Sequence, residues 1–255
     1  MSFEIAGDAY DRFMGRYSRQ LAPQLAGFAG VGPGMSVVDV GSGPGALTAE
    51  LVDRVGAAGV AAADPSEMFA TTCAERFPDV DVKRAAAEEL PWPDGTFDAA
   101  LAQLVVNFMS DPMAGVREMH RVTRPGGVVA ACIWDYREGM RMLRTYWESA
   151  LALDPTAPDE GRTMAIATPD ELRGIWLAAG LGDVESGVFD VEAEYESFDA
   201  FWRPFTVGAG PAGTYYASLD SAPAAALREE CRGRLGDPQG PFRVPARAWA
   251  IRGVS

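Results

Sequence analysis

Apolar and polar positions follow two regimes along the chain. Between positions 36 and 133, short apolar runs rich in valine and alanine alternate with longer stretches of helical periodicity. This alternation is typical of a parallel sheet built from βαβ units. The predicted strands are Ser36–Val40, Gly59–Asp64, Val80–Lys83, Phe97–Ala102 and Val128–Ile133. The predicted helices between them are Ala46–Val55, Ser66–Arg76 and Pro112–Val122.

The pattern is looser on both sides of this region. Upstream, Ala9–Phe28 has helical periodicity and ends at a glycine-rich turn. Downstream, the predicted helices are Gly139–Leu153, Pro169–Ala179, Ser197–Phe205 and Ala222–Leu235. Two late apolar stretches, Val184–Val191 and Ala246–Arg252, are predicted to close the sheet. Turn-forming residues predict loops at Asp154–Thr163 and Gly208–Gly213.

Three glycines follow the first predicted strand directly, in the run VVDVGSGPGALT. Gly41, Gly43 and Gly45 allow the backbone to turn tightly and to approach a ligand with no Cβ in the way. In an open parallel sheet, nucleotide-like ligands bind at such strand-to-helix turns. An ordinary tight turn is the alternative, but three glycines in five residues favour a binding turn.

The spacing of these glycines bears on the kind of ligand. They are arranged as GxGxG, whereas the dinucleotide fingerprint is GxGxxG. Asp39 stands two residues before the first glycine, and its carboxylate suits an ammonium group better than a pyrophosphate. The turn therefore favours S-adenosylmethionine, and an NAD-dependent oxidoreductase is the first alternative.

Asp64 ends the second predicted strand. A carboxylate at this strand end can accept hydrogen bonds from ribose hydroxyls, in an NAD protein as well as in one that binds S-adenosylmethionine. The competing role is capping of the next helix by Asp64 or Ser66, and we expect Ser66 to cap and Asp64 to bind. Met68, one turn further, either packs on an adenine or fills the core.

Composition narrows the possible partners. Lys and Arg number 22 and Asp and Glu 36, so the formal net charge is −14. Such a surface disfavours nucleic acid and anionic lipid. We find no apolar run long enough to cross a membrane and no signal-like start. The three cysteines form no CxxC pair, which predicts no metal site and a cytoplasmic location.

Four blocks within Val37–Asp135, about two fifths of the chain, resemble the class I S-adenosylmethionine-dependent methyltransferases, in their small-molecule, methyltransferase-11-like branch. The blocks are VVDVGSGPGALTAEL, ADPSEM, AAAEELPWPDGTFDAALAQ and RVTRPGGVVAACIWD. The opening YDRFMGRYS is similar to the N-terminal lid of that branch, and FWRPFTVGAGPAGTYY and ARAWAIRG are similar to its C-terminal part.

The resemblance implies a doubly wound, seven-stranded and mostly parallel α/β sheet of the Rossmann-like methyltransferase type, with a helical N-terminal lid and C-terminal additions. Residues 1–255 would form one methyltransferase domain. Its parts would be lid helices at 1–30, the cofactor-binding core at 35–135, and substrate-side helices with closing strands at 136–255.

The resemblance also assigns a set of residues to the cofactor. They are Tyr10, Arg16, Asp39, Gly41, Ser42, Gly43, Gly45, Asp64, Pro65, Met68, Ala86, Ala87, Glu88 and Gln103. Asp39 would orient the methionine ammonium, Asp64 would hold the ribose diol, and Gln103 would lie near the methionine moiety. Residues 86–88 would bracket the adenine through their backbone. Ala86 departs from the family, because relatives often carry an Asp there.

Residues of the N-terminal segment are implied at the methionine end of the ligand. Tyr10, Arg16 and Tyr17 would close over the methionine end, with Arg16 pairing its carboxylate. The implied reaction is methyl transfer to a small organic acceptor, giving S-adenosylhomocysteine. The second alternative is a non-catalytic module that only holds the cofactor, and a homodimer is left open.

No residue is assigned as catalytic, because the sulfonium is already activated. His120 is expected to be structural, since its helix lies on a face of the sheet. Asp135 and Tyr136, at the exit of the fifth strand, are better placed to touch an acceptor. The many aromatic residues after position 133 are expected to be mostly core, with some lining an acceptor pocket.

Overall fold

The computed structural model describes residues 14–208 and 210–255. They contain a sheet of seven strands in the order β3-β2-β1-β4-β5-β7-β6. The strands are β1 Val37–Val40, β2 Val60–Asp64, β3 Asp81–Arg84, β4 Phe97–Gln103, β5 Thr123–Trp134, β6 Gly182–Tyr195 and β7 Phe242–Val254. Strands β1 to β5 are parallel, whereas β7 pairs antiparallel with both β5 and β6. The predicted seven-stranded, mostly parallel sheet is confirmed.

Helices connect most of the strands. They are α1 Arg16–Phe28, α2 Ala46–Val55, α3 Glu67–Arg76, α4 Pro112–Val122, α5 Arg141–Leu153, α6 Glu160–Thr163, α7 Pro169–Ala178, α8 Phe198–Trp202, α9 Gly210–Ala217 and α10 Ser221–Arg234. Short 3-10 turns lie at Ala57–Gly59, Val106–Phe108 and Arg203–Val207. No helix within the described ranges is long and apolar enough to span a membrane.

Alternate residues of β1 face two different helical layers. Val37 packs in the core beneath α1, α2 and α5, whereas Val38 packs in the core beneath α4 and α7. Helices therefore cover both faces of the sheet, as a doubly wound fold requires. Asp39 shares the face of Val37, because side chains alternate along a strand. Its carboxylate consequently lies on the side of α1 and α2.

Helix α1 is fastened to the edge strand β6 by a ladder of side chains. Arg16, Gln20 and Gln24 donate to alternate β6 carbonyls, from Glu194 to Asp190, at 3.0, 2.7 and 3.5 Å. The spacings match because four helical residues rise about 6 Å and two strand residues about 6.6 Å. Helix α1 therefore begins at the end of the sheet where the parallel strands have their carboxyl termini.

Two stretches predicted to be loops contain helices instead. Asp154–Thr163 includes α6, because the Asp159 side chain accepts a hydrogen bond from the Gly161 amide at 2.9 Å and starts a helical turn. Gly208–Gly213 overlaps α9, where a buried tyrosine hydroxyl of α5 donates to the Ala212 carbonyl at 2.8 Å. The first helix starts at a local cap, whereas the second has a partner distant in sequence.

The C-terminal elements also differ from their predicted lengths. Strand β6 continues to Tyr195 and β7 starts at Phe242, because the two pair over their whole length. The predicted helix Ser197–Phe205 is α-helical only to Trp202 and then tightens into a 3-10 turn. Pro204 lies at this transition and has no N–H with which to continue the α-helical pattern.

Candidate cofactor-binding site

The glycine turn after β1 is left-handed at all three glycines, with φ of 74° at Gly41, 54° at Gly43 and 91° at Gly45. A Cβ at Gly41 would lie 2.4 Å from a methyl carbon of Val105, and one at Gly45 would lie 2.6 Å from the ring of Phe77. A Cβ at Gly43 would meet no atom of the described chain within 4 Å. Packing therefore requires two of the glycines, and Gly43 faces open space that a ligand can enter.

The turn is tied to the end of β2. The amides of Gly41 and Ser42 both donate to the Ala63 carbonyl, at 2.7 and 3.0 Å. The Gly43 amide donates to Asp64 Oδ2 at 2.8 Å. These bonds place the Asp64 carboxylate beside the open side of Gly43, where the sequence predicted a ribose-binding acid.

Asp64 and Ser66 divide the two roles proposed for this strand end. Asp64 Oδ1 accepts from the Ser66 amide at 2.9 Å, and Ser66 Oγ caps α3 by accepting from the Phe69 amide. Burial raises the pKa of Asp64, and the hydrogen bonds from Ser66 and Gly43 oppose that rise. Each oxygen of Asp64 still has acceptor capacity, so it can receive further hydrogen bonds from a diol.

Asp39 is enclosed between β1 and α2 and is 1% exposed. Its Oδ2 accepts from Thr48 Oγ1 at 2.7 Å, and its Oδ1 has no partner among the described residues. Burial raises the pKa of Asp39 to about 7, against the hydrogen bond from Thr48. A buried carboxylate oxygen without a donor is costly by itself and is stabilised by an adjacent cation. Asp39 therefore fits an ammonium group.

Gln103, the last residue of β4, supplies a second acceptor of this kind. Its Nε2 donates to the Ser18 carbonyl of α1 at 3.1 Å, while its buried Oε1 has no partner in the described chain. Asp39 pairs with Leu101 across β1 and β4, and Gln103 lies two residues further on the same face. Their Cα atoms are about 8 Å apart on strand geometry. Two unpartnered oxygens thus bracket one side of the glycine turn.

The residues predicted to contact the adenine lie around the end of β2 and after β3. Met68 is half-buried but packs in neither hydrophobic core, which argues against the core-filling alternative. Pro65 and Ala86 are exposed, and Ala87 is buried. The chain after β3 lies next to Asp64, because the amide preceding Ala86 donates to the Asp64 carbonyl at 3.2 Å.

Glu88 has a structural partner. Its Oε1 accepts from the Asp111 amide at 3.0 Å, just before α4 begins, and the residue is half-buried. One carboxylate oxygen is therefore used in fastening two segments of the chain. A contact from Glu88 to an adenine stays a prediction.

Of the predicted lid residues, Arg16 and Tyr17 both lie beside Tyr195 of β6. Tyr10 lies outside the described residues. The Arg16 guanidinium lies 4.4 Å from the centre of the Tyr195 ring on β6. Tyr17 is fully buried with its hydroxyl 3.2 Å from that of Tyr195. The pairing of Arg16 with a cofactor carboxylate stays a prediction.

Three residues considered for chemistry at the acceptor side have defined surroundings. His120 Nδ1 lies 3.0 Å from the Ala179 carbonyl, between α4 and the end of α7, as expected of a structural residue. Asp135 is 4% exposed, and its Oδ1 accepts from the Glu138 amide at 3.1 Å in the turn after β5. Tyr136 follows it and is buried as well.

Sequence inspection missed several residues that shape the site. Thr48 is the hydrogen-bond partner of Asp39, and Val105 fills the space beneath Gly41. Leu104 has a φ of 64°, a strained conformation that non-glycine residues rarely adopt and that clusters at functional sites. The position of Thr48 one turn after the glycines was the available signal, whereas nothing local indicates the conformation of Leu104.

The order of strands and the left-handed glycine turn define a doubly wound α/β protein of the kind that binds nucleoside cofactors, and the two unpartnered oxygens suit a ligand with a cationic group. A family model described as a methyltransferase domain matches residues 38–131. A demethylmenaquinone methyltransferase from Mycolicibacterium vanbaalenii is 34% identical over 186 residues, covering 68% of this chain and 77% of that protein.

Two other comparisons agree. A demethylmenaquinone methyltransferase from Mycolicibacterium paratuberculosis is 40% identical over 103 residues, covering 40% of this chain and 43% of that protein. A solved structure described as a candidate type II methyltransferase from Anaeromyxobacter dehalogenans superposes with a TM-score of 0.63 at 23% identity, covering 92% of this chain and 95% of that one. The chain spans about half the length of several curated relatives that it matches. The chain belongs to the S-adenosylmethionine-dependent methyltransferase family.

Proposed function

We propose that this protein transfers the methyl group of S-adenosylmethionine to a small organic acceptor and releases S-adenosylhomocysteine. The observation that carries the proposal is the enclosed, unpartnered Oδ1 of Asp39 beside the open face of Gly43. An amino-acid ammonium would supply both a donor and the opposite charge to that oxygen, which makes it a stronger partner than a neutral donor. The spacing of the glycines and this carboxylate both disfavour NAD.

The chain's own residues have distinct roles in this proposal. Asp39 and Gln103 hold the ammonium, Asp64 accepts hydrogen bonds from the ribose, and Gly43 lets the backbone approach the ligand. Met68 packs on the adenine face with the loop after β3. When bound, the cofactor supplies a methyl group on a sulfonium that needs no further activation. The protein's main task is then to align the acceptor and to exclude water.

The acceptor is proposed to be a small molecule. Net charge of −14 disfavours a polyanionic substrate. The names of the relatives point to quinol-type ring compounds as the first acceptors to test. Residues 35–135 would bind the cofactor, and 136–255 would contact the acceptor, within one domain closed by residues 1–30.

The cellular setting follows from a few observations. Cys73, Cys132 and Cys231 are free and buried, which is compatible with a reducing compartment. We therefore propose a cytoplasmic location. A homodimer also stays a proposal, and its test is the molecular mass in solution.

The decisive experiment is titration calorimetry with S-adenosylmethionine, S-adenosylhomocysteine and NAD in parallel. We expect both sulfur compounds to bind at one site per chain and NAD to give no heat. Binding of NAD alone would replace the proposal by an oxidoreductase. A mass-spectrometric screen of small quinols, phenols and amines then tests turnover. Tight binding of S-adenosylmethionine with no product from any acceptor would favour a non-catalytic module.

A further inference from the structure

The chain between α5 and α7, residues 157–167, crosses the carboxyl ends of β4 and β5, and we call it the strap. Asn107, just after β4, exchanges two hydrogen bonds with the Ile166 backbone, at 2.9 and 3.1 Å. At the other end, a Cβ on Gly161 would lie 2.6 Å from the carbonyl oxygen of Tyr136, just after β5. The strap is thus fixed at the edge of the sheet where the glycine turn lies.

The segment after β4 links the strap to the glycine turn. Val105 lies directly under Gly41, and Asn107 stands two residues further along. Gln103, which offers its Oε1 to the cofactor in the proposed function, precedes this segment. Side chains of the strap are therefore placed at the end of the sheet where an acceptor must meet the methyl group.

Asp159 holds the strap in place through both of its carboxylate oxygens. Both of its oxygens accept from Arg144 Nη1, at 2.7 and 2.9 Å, and Oδ1 also accepts from the Gly161 amide. Arg162 Nε lies 3.6 Å from Oδ2. This buried carboxylate is paired with a guanidinium, so its role is structural.

The neighbouring Glu160 is different. It is 5% exposed, and its Oε1 accepts a hydrogen bond from Trp147 Nε1 at 2.8 Å. No described residue donates to Oε2. Among the described residues, the fully enclosed side-chain oxygens without a partner are those of Asp39 and Gln103. Oε2 of Glu160 is not among them, so it keeps a small exposed surface. One carboxylate oxygen is therefore fixed by an indole, and the other retains its capacity to accept a hydrogen bond.

Trp147, the donor to Glu160, belongs to a cluster of aromatic rings. The Trp147 ring lies 5.2 Å from that of Tyr146 and 5.7 Å from that of Tyr215. Burial raises the pKa of Glu160 to about 7, with a hydrogen bond from Trp147 and the charge of Arg144 opposing the rise and the charge of Asp159 adding to it. A carboxyl group in this setting can exchange a proton at neutral pH.

We propose that Glu160 is the acceptor-binding carboxyl group of this enzyme and takes the proton from an O–H or N–H group of a flat, aromatic-type acceptor. This inference rests on the proposed methyltransferase function. The acceptor oxygen or nitrogen forms a bond to the methyl carbon while the carbon–sulfur bond breaks and its electron pair stays on sulfur. The proton released from the acceptor moves to Oε2 of Glu160 and then to solvent. No oxidant or further reactant is needed.

The test compares Glu160→Gln with the wild type and with Glu148→Gln, a matched control on α5 whose carboxylate is partly exposed. Calorimetry with S-adenosylmethionine comes first, and we expect the same affinity for all three proteins. If the wild type did not bind S-adenosylmethionine, the proposed function would be wrong. If only Glu160→Gln failed to bind it, Glu160 would have a structural role.

The second measurement is kcat/KM against pH on the acceptors that the wild type methylates from a panel of catechol, 1,4-naphthoquinol and aniline. We expect Glu160→Gln to lose at least 100-fold in kcat/KM and to lose the rise in rate near pH 7, while Glu148→Gln stays within about two-fold. Trp147→Phe removes the donor to Oε1 and should move that rise to higher pH. Retention of the wild-type rate and pH profile by Glu160→Gln would overturn the proposal.

A third measurement covers the case in which no acceptor of the panel is turned over. Binding of 4-nitrocatechol to the S-adenosylhomocysteine-loaded protein is followed by its absorbance. Binding that is at least 10-fold weaker in Glu160→Gln than in Glu148→Gln would support the proposal. Equal binding by both variants, or no binding to the wild type, would refute it.

Discussion

Asp39 should make the ligand-free protein less stable as the pH rises. Its pKa is raised from the ordinary value of 3.8 to about 7, first by burial, while in the unfolded chain the group ionises near its ordinary value. The folded state therefore keeps a proton that the unfolded state loses. Stability from this group is fully present below pH 3.8, falls as the pH rises towards 7, and levels off above it.

The size of the effect follows from the two pKa values. Their difference corresponds to about 4 kcal/mol in total, and the loss between pH 5 and pH 8 is about 2.5 kcal/mol. Asp39→Asn removes the titration and leaves every other carboxyl group in place. The amide of the variant carries an N–H donor where one carboxylate oxygen stood. This donor costs some stability, but the cost does not change with pH.

The assay is urea unfolding of the ligand-free wild type and of Asp39→Asn at pH 5, 6, 7 and 8. We expect the free energy of unfolding of the variant, relative to that of the wild type, to increase by about 2.5 kcal/mol from pH 5 to pH 8. The matched control is Asp98→Asn. Hydrogen bonds from Ser36 and Arg124 lower the pKa of Asp98, so its contribution is lost only at acid pH. The difference in free energy of unfolding between this control and the wild type should stay constant from pH 5 to 8.

The reasoning would be refuted if the difference in free energy of unfolding between Asp39→Asn and the wild type did not change with pH. It would also be refuted if the Asp98→Asn control showed the same dependence on pH. Saturating S-adenosylmethionine provides a second check, since its ammonium should lower the pKa of Asp39 and cancel most of the slope. The variant should bind S-adenosylmethionine at least about 10-fold more weakly, because a charged hydrogen bond is lost.

Three further predictions concern the cofactor turn and the first helix. Asp64→Ala should weaken binding of S-adenosylmethionine by about 1–3 kcal/mol, and unchanged affinity in calorimetry would limit Asp64 to holding the turn. Gly43→Ala should cost about 1–2 kcal/mol of stability through its positive φ yet abolish cofactor binding, whereas Gly41→Ala should unfold more easily in urea, because its Cβ would also clash with a neighbouring side chain. An equal loss of stability in the two variants would contradict this distinction. The double variant Gln20→Ala, Gln24→Ala should increase amide hydrogen exchange along α1 and leave β1 unchanged, and equal protection in both proteins would show that the ladder contributes little.

The cofactor half of the protein could be predicted because its signals are local. Gly41 and Gly45 mark a turn whose backbone excludes a Cβ, and Asp39 stands at a fixed offset from it. The strand end at Asp64 was ambiguous by sequence between binding and capping. The structure assigns the cap to Ser66, which a list of preferred cap residues could not decide alone.

The surroundings of Glu160 and Arg16 could not be predicted in the same way. The burial of Glu160 depends on Trp147, 13 residues earlier in the chain, and on Asn107, which fixes the strap from another strand end. Arg16 was assigned to the cofactor from a family resemblance, but its neighbour in space is Tyr195, far along the sequence. Contacts of this kind carry no periodicity that a sequence alone reveals.

The ladder between α1 and β6 also restricts how two copies of the chain can associate. An uncovered edge strand offers backbone groups on which another strand can add. From Asp190 to Glu194 another strand cannot pair in this way, because side chains of α1 already donate to the alternate carbonyls. At the opposite margin β3 is only four residues long and carries charge at Asp81, Lys83 and Arg84. Strand addition at the end of β6 would first require α1 to detach from that strand. A symmetric dimer formed through helical surfaces would not break these hydrogen bonds.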